Sequence, residues 1–367
     1  MIVGLVKEIK IQEYRVALTP EAVKKITRLA DKVLVEQHAG LGSGFSDQDY
    51  IDAGAIIVLS ATEIWQQADL VIKVKEPQQA EFSLMKENLI LFSYFHFASS
   101  LPLLEACLKQ KITALAYETL EDDKGQLPLL KPMSAIAGKM AAHQGAKYLE
   151  KTYGGKGILM GGLELQNTHV EAANVIVLGG GVVGFHAAKV ASGMGAKVTL
   201  FELNPVQVKK LQEVFGHRVM VLQSDPNILA KLLATVDVII GAVLIAGAKA
   251  PKLISQSDLS LMQPGTVLVD VAIDQGGCFE SSHATTHDDP VYIEQGIVHY
   301  CVTNLPGAVS RSGSQALSGA TLSYILQLLE LGLDKFLAQS PGHRLSLNLR
   351  SGQIQHPVLR KEFSQLL

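Results

Sequence analysis

An ionisable ring interrupts an apolar run in the segment LFSYFHFASS, residues 91–100, where His96 has Phe and Tyr for neighbours. Such a placement offers a neutral-pH acid/base, because an imidazole with an ordinary pKa of about 6.5 gains and loses protons near physiological pH. A satisfied core histidine is the alternative. Three more charged residues stand where hydrophobic periodicity would not put them: Arg15 in EIKIQEYRVALTP, Lys75 in DLVIKVKEP and Asp270 in TVLVDVAIDQGG. Lys75, His96 and Asp270 are each expected at the carboxyl end of a strand, where sites gather in parallel sheets. Two cations suit an α-keto or α-amino carboxylate, Arg as a bidentate fork and Lys as a point charge. An aspartate can hold an ammonium group or an attacking water. Surface charges would be the plain reading of Arg15 and Lys75, and a turn cap that of Asp270.

The stretch NVIVLGGGVVGFHAAKVASGMGAKVTLFELN (174–204) supplies a second kind of chemistry. Gly179, Gly181 and Gly184 satisfy G-x-G-x-x-G, after an apolar strand and at the opening of an Ala-rich helix. Those glycines allow a tight turn, close backbone approach to a pyrophosphate and close helix–strand packing, and the helix start faces the phosphates. Glu202 ends the next apolar run, where a carboxylate accepts hydrogen bonds from ribose hydroxyls. It would repel a 2′-phosphate, so the reading favours NAD over NADP.

These residues need strands to carry them. The first third alternates β-rich runs (MIVGLV, KVLVEQ, AIIVL, DLVIKV, NLILFSYF, ITALAY) with helix-like runs. In TPEAVKKITRLA, Thr19 is placed to cap and Pro20 to sit in the first turn. After the helical run 134–153 a second series follows: NVIVLG, KVTLFE, RVMVLQ, VDVIIGAV, TVLVDVA and GIVHYCV. Strand–helix alternation predicts two Rossmann-like α/β domains with parallel, doubly wound sheets. A mainly helical segment and the tail LSLNLRSGQIQHPVLRKEF close the chain.

Length and composition agree with this. The 367 residues, 48% hydrophobic and 18% charged, fit a well-cored soluble protein of two domains. A net charge of −3 without a basic stripe gives no footprint for nucleic acid. Lys7 and Glu8 come too early for a signal-peptide core, and the apolar run 238–248 is far short of the ~20 residues of a spanning helix. Three scattered cysteines fit reduced thiols in a cytoplasm, with no metal framework. The cluster His283, His287, Asp288 and Asp289 reads as a capped surface turn, not a metal site.

Longer motifs carry a resemblance. VGLVKEIKIQEYRVALTPEAV, ADLVIKVKEP, ILFSYFHFA, LPLLKPMSAIAGKMAA, VIVLGGGVVG, GAVLIAGAKAPKL, LVDVAIDQGGCFE and HYCVTNLPGAV, spread over essentially the whole chain, resemble the L-alanine dehydrogenases. The resemblance implies NAD-dependent deamination of L-alanine to pyruvate and ammonium, and the reverse. It implies Arg15 and Lys75 on the substrate, His96 as acid/base and Asp270 at the amine and water steps. For the cofactor it implies Ser134, Gly181, Val182, Glu202 and Ser224, with LIAGAKAP and Asn304 on the nicotinamide side. It also implies a discontinuous substrate domain (1–128 and 307–367) around an NAD domain (129–306), a catalytic cleft between them, and a homohexamer. Segments 161–174 and 309–320 depart from the family pattern, and Glu202 stands where Asp is commoner. Two other families are similar: the nucleotide-binding subunit of proton-translocating transhydrogenase, a hydride-passing module with a membrane partner, and the saccharopine-forming dehydrogenases, which share the overall plan but lack the continuous motifs.

Overall fold

A computed structural model of the chain describes residues 1–243 and 250–366. These form two compact units: Met1–Met133 with the chain from Gly307 onward, and Ser134–Pro306. The first unit opens with β1 (Ile2–Leu5), β2 (Lys32–Glu36), β3 (Ile56–Val58), β4 (Leu70–Ile72), β5 (Ile90–Ser93) and β6 (Thr113–Ala116). The second holds β7 (Leu163–Leu165), β8 (Thr168–Val170), β9 (Asn174–Leu178), β10 (Lys197–Glu202), β11 (Met220–Gln223), β12 (Val238–Gly241), β13 (Val267–Asp270), β14 (Val291–Glu294) and β15 (Ile297–Tyr300). The chain then returns to the first unit with β16 (Leu347–Arg350) and β17 (Gln353–Ile354).

The first sheet runs β3-β2-β1-β4-β5-β6-β16-β17 and the second β11-β10-β9-β12-β13-β15-β14. Within each unit the core strands follow one plan: the first strand in the middle, the second and third to one side, the fourth onward to the other. All pairs among β1–β6 are parallel. So are those joining β9, β10, β11, β12, β13 and β15. This doubly wound order leaves a switch point in each sheet, between β1 and β4 and between β9 and β12, where ligands bind beyond the strand ends.

The expectation of parallel strands holds for the sheet cores and is corrected at their edges. β14 pairs antiparallel with β15, and β16 antiparallel with both β6 and β17. For the β14–β15 and β16–β17 hairpins the cause is turn chemistry. Gln295–Gly296 (φ 49°, 80°) and Ser351–Gly352 (φ 52°, 75°) put two consecutive residues in the left-handed region, the backbone of a tight hairpin turn, and a two-residue turn leaves no length for a crossover. Residues 161–174 are likewise not a plain connection: β7 and β8 pair antiparallel as an exposed hairpin.

Burial follows strand geometry. β4 and β5 are buried at every position, and apart from Ser93 at the end of β5 they read as apolar runs. Along β9, Val175 and Val177 join one apolar cluster while Ile176 and Leu178 join another, the period of two that a sheet packed on both sides demands. Helix starts use the expected devices: Thr19 Oγ1 accepts the Ala22 N–H ahead of Pro20, and Asn204 and Asp225 cap helices that begin at Pro205 and Pro226.

Candidate functional site

In the first unit the chemistry gathers past the carboxyl ends of β1, β4 and β5, three adjacent strands that flank the switch point. The loop leaving β1 brings Glu8, Glu13 and Arg15, all buried. Arg15 is only 2% exposed; its Nε donates to Glu13 Oε1 at 2.7 Å, one terminal nitrogen to Glu13 Oε2 at 2.5 Å and the other to Met133 Sδ at 2.9 Å. Burial works against the guanidinium charge, but the Glu13 carboxylate more than offsets it and holds the group above its usual range. Glu13 thus takes the Nε and one terminal nitrogen and fixes the cation in place, and a charge so held can orient a carboxylate-bearing substrate.

Lys75 does not end β4 as the sequence suggests; the strand stops at Ile72 and Lys75 lies three residues further on, buried. What holds that extension is Glu8, a residue sequence reasoning passed over. Glu8 Oε1 accepts the N–H of Val74 at 2.6 Å and of Lys75 at 3.4 Å. The wholly buried Lys73 completes the arrangement, its ammonium 3.2 Å from Glu8 Oε2 and 2.9 Å from Glu81 Oε1. Two carboxylates therefore share one ammonium. Burial, with Glu13 and Glu81 adding repulsion and Lys73 opposing, raises the Glu8 pKa to about 7.

That shift has a stability consequence. The folded protein keeps a proton on Glu8 that the unfolded chain, with an ordinary value of 4.5, has released. The stabilising contribution is complete below about pH 4.5 and is lost as pH rises through about 7. Glu8→Gln retains an acceptor for Val74 and cannot titrate. Its melting temperature minus that of the wild type is expected to rise between about pH 5 and about pH 8, and a flat difference across that window would refute the assignment.

His96 also lies beyond its strand: β5 ends at Ser93, and His96 occupies a left-handed turn at φ 50° and ψ 44°. It is exposed, so it is not a core histidine. The strand reading fails because the N–H groups of Phe95 and His96 are taken by a carboxylate, Glu118, at 3.0 and 2.7 Å. Left-handed backbone costs a non-glycine residue roughly 1–2 kcal/mol. Hydrogen bonds to a charged acceptor contribute about 1.5–3 kcal/mol each, enough to hold it. The imidazole lies parallel to the Tyr94 ring at 6.0 Å, and Tyr94 Oη donates to the Leu129 carbonyl at 2.5 Å. Burial raises the Tyr94 pKa, with Arg15 working against that rise, so Tyr94 stays a neutral donor beside the cation.

In the second unit the glycine turn follows β9 at the switch point. Gly179 has φ 103°, and a Cβ on Gly184 would stand 1.7 Å from the Gly179 carbonyl oxygen, so neither tolerates a side chain. Gly181 is the opposite case: among the described residues nothing lies within 4 Å of where its Cβ would be. It precedes the helix Val182–Gly193, whose start no side chain among the described residues caps. Room above Gly181 and uncapped N–H groups at a helix start fit a dinucleotide pyrophosphate. Glu202 ends β10 half-buried; its Oε2 accepts the Gly180 N–H at 2.7 Å and its Oε1 the Asn204 N–H at 2.8 Å. The carboxylate thus braces the glycine turn and the chain that follows β10. Ser224 follows β11 and donates its N–H to the Glu202 carbonyl. Ser134 lies in the first turn of the helix Lys131–Tyr148, and Asn304 adopts a left-handed φ of 54°. Of LIAGAKAP, residues 244–249 lie outside the described residues.

Asp270 does end its strand, β13, and is 2% exposed. Its Oδ2 accepts from Ser282 Oγ at 2.5 Å, Cys278 N at 2.9 Å and Phe279 N at 3.4 Å; its Oδ1 accepts from Ala272 N at 3.0 Å and Cys278 Sγ at 3.5 Å. The loop 270–282 is wrapped around this carboxylate. Cys278, held 3.5 Å from it, is pushed well above the ordinary thiol value by burial and then by Asp270, so it is no nucleophile. His283 stacks on Tyr292 at 3.6 Å.

Two doubly wound units, one with a glycine turn opening a helix at its switch point and one with a buried arginine and an exposed imidazole after neighbouring strand ends, have the make-up of a nucleotide-dependent oxidoreductase. The comparisons with known proteins narrow this. Residues 4–137 match the family described as alanine dehydrogenase/PNT, N-terminal domain, and residues 141–357 its C-terminal domain. The chain belongs to the alanine dehydrogenase/PNT family. It is 46% identical over 362 residues to an alanine dehydrogenase of Methanococcus maripaludis, covering 98% of this chain and 96% of that one. It is 45% identical to the alanine dehydrogenase of Bacillus subtilis, covering 99% and 94%. A solved L-alanine dehydrogenase superposes with a TM-score of 0.95 at 43% identity over the whole of both chains. A transhydrogenase from Sinorhizobium meliloti gives 0.83 at 25% identity, covering 97% and 99%.

Proposed function

We propose that the protein interconverts L-alanine with pyruvate and ammonium, using NAD. The observation that carries this reading is that Arg15, Lys75 and His96 follow the carboxyl ends of three neighbouring strands, β1, β4 and β5. A carboxylate fork, a second cation and a proton carrier there are the groups an α-amino or α-keto acid requires. Bound NAD would supply the hydride acceptor, held by Gly179, Gly181, Val182, Gly184 and Glu202, with Ser134, Ser224 and Asn304 around it.

The chain's own groups do the rest. Arg15 holds the substrate carboxylate and Lys75 polarises the carbonyl, so the reacting carbon is oriented before chemistry begins. His96 takes the proton from water as it adds to the imine and returns one as the carbinolamine collapses to ketoacid and ammonium. Asp270 stabilises the amine and the water, for which Ser282 has to yield its place on Oδ2. We extend the reading to a cytoplasmic homohexamer; among the described residues no helix is long and apolar enough to cross a membrane.

The test is NADH oxidation with pyruvate, with and without ammonium, set against glyoxylate and NADPH. Rapid, ammonium-dependent loss of NADH with pyruvate is expected. NADH binding with no reduction of any ketoacid would favour the hydride-passing alternative to which the Sinorhizobium meliloti transhydrogenase likeness points.

Cofactor choice gives a further expectation. Glu202→Arg removes a charged acceptor from the ribose position, so NAD affinity should fall about 10- to 100-fold while NADP gains. Because Glu202 also braces Gly180, a fall for both cofactors would show that it acts through the turn. Unchanged affinities would remove it from the site.

A further inference from the structure

We propose that Glu118 is the positioning residue for the acid/base histidine: its carboxylate fixes the left-handed turn that carries His96 and so sets the direction of the imidazole. This rests on the role given to His96 above.

The register of the sheet brings the two together. β5 and β6 pair in parallel with Ser93 opposite Ala116, so residues 94–96 and 117–118 leave the sheet side by side. Glu118 lies in the short helical turn Tyr117–Thr119. Its Oε1 takes the N–H of His96 at 2.7 Å and of Phe95 at 3.0 Å, and its Oε2 reaches the Phe95 N–H at 3.4 Å. One oxygen thus spans both donors of the turn. The flanking side chains are pinned from the other side: Phe95 and Phe97 are buried and stack with ring centroids 4.6 Å apart. The helix Pro357–Glu362 packs on Phe97–Ser99, and its Leu359 joins Phe95 and Phe97 in the core. Two of three consecutive side chains are anchored inward, the backbone between them is tied to Glu118, and the imidazole is the side chain left facing solvent. Without the carboxylate, two N–H groups and a strained φ would have no compensating partner, and the turn would relax toward extended backbone.

The geometry makes the choice of substitution decisive. Glu118→Gln keeps Oε1, the oxygen that accepts both close N–H groups. Glu118→Asp keeps the charge but is one methylene too short, and Glu118→Ala loses both. Turnover in reductive amination is expected to fall about 10- to 100-fold in the Asp and Ala variants, the scale of a misplaced catalytic group, and to stay within a few-fold of wild type in the Gln variant. The KM for pyruvate and NADH affinity should change little in all three. Glu118→Ala combined with His96→Ala should be no slower than His96→Ala alone, since Glu118 acts through that ring. Amide hydrogen exchange supplies the readout that needs no activity: the Phe95 and His96 amides should exchange slowly in wild type and the Gln variant, and fast in the other two. Asp retaining full turnover while Gln loses it would overturn the proposal, as would multiplicative losses in the double variant or unchanged exchange in Glu118→Asp. A wild type that reduces no ketoacid would defeat the role of His96 itself, and the exchange data would still decide whether Glu118 holds the turn.

Discussion

His96→Ala is expected to lower turnover at least ~100-fold while leaving NADH binding nearly intact, the loss that follows removal of an acid/base group. The structure makes this a clean substitution. The ring is exposed and packs only loosely against Tyr94, so its removal leaves no cavity in the core. The turn keeps its other supports, Glu118 on the N–H groups and the Phe95–Phe97 stack below. What alanine does cost is comfort in the left-handed region, about 1 kcal/mol, a few degrees of melting temperature at most for a unit of this size. His96→Asn controls for that, because asparagine adopts this backbone readily. It should be as inactive as the alanine variant and melt closer to wild type. Near-wild-type turnover in either would take His96 out of the mechanism.

How much of this was readable beforehand differs between core and edge. The central strands of both sheets are legible as short, largely apolar runs between turn residues, the pattern that burial on two faces favours. The hairpins at the edges left only two-residue signals, Gln295–Gly296 and Ser351–Gly352, whose left-handed backbone decides strand direction but whose letters look like any loop. A glycine at the second turn position after an apolar run was the available clue. His96 and Lys75 were placed on the right side of the sheet and on the wrong kind of backbone. Apolar flanks cannot tell a strand from a turn whose neighbours are anchored in the core, as Phe95 and Phe97 are.

The residues missed share one property. Glu8, Glu13 and Glu118 are carboxylates that serve the protein's own backbone and cations, and such service leaves no periodic pattern. Yet Glu118 closes the apolar run ITALAY much as Asp270 closes TVLV, and Glu8 follows MIVGLV after a single lysine. The strand-end logic that found the aspartate applies to each of them. These carboxylates bond to the chain that carries the candidate groups and so hold those groups still.

Asp270→Asn is the substitution on which the mechanistic reading turns, and it too is expected to cost at least ~100-fold in turnover with NADH binding nearly retained. An amide is almost the same size, so packing is preserved, but every neighbour of this carboxylate is a donor. Whichever way asparagine turns, its NH2 meets N–H or O–H groups, and it offers no charge to an ammonium. The glycine turn stands two strands away, after β9 rather than β13, which is why cofactor affinity should survive. Two outcomes would separate the possible roles. Turnover lost together with NADH affinity would mean that the carboxylate serves chiefly to fold the loop 270–282. Turnover lost while NADH affinity and the melting temperature hold would leave the amine and water steps as the place where its charge is needed, with Ser282 Oγ, the shortest of its contacts at 2.5 Å, the group that gives way.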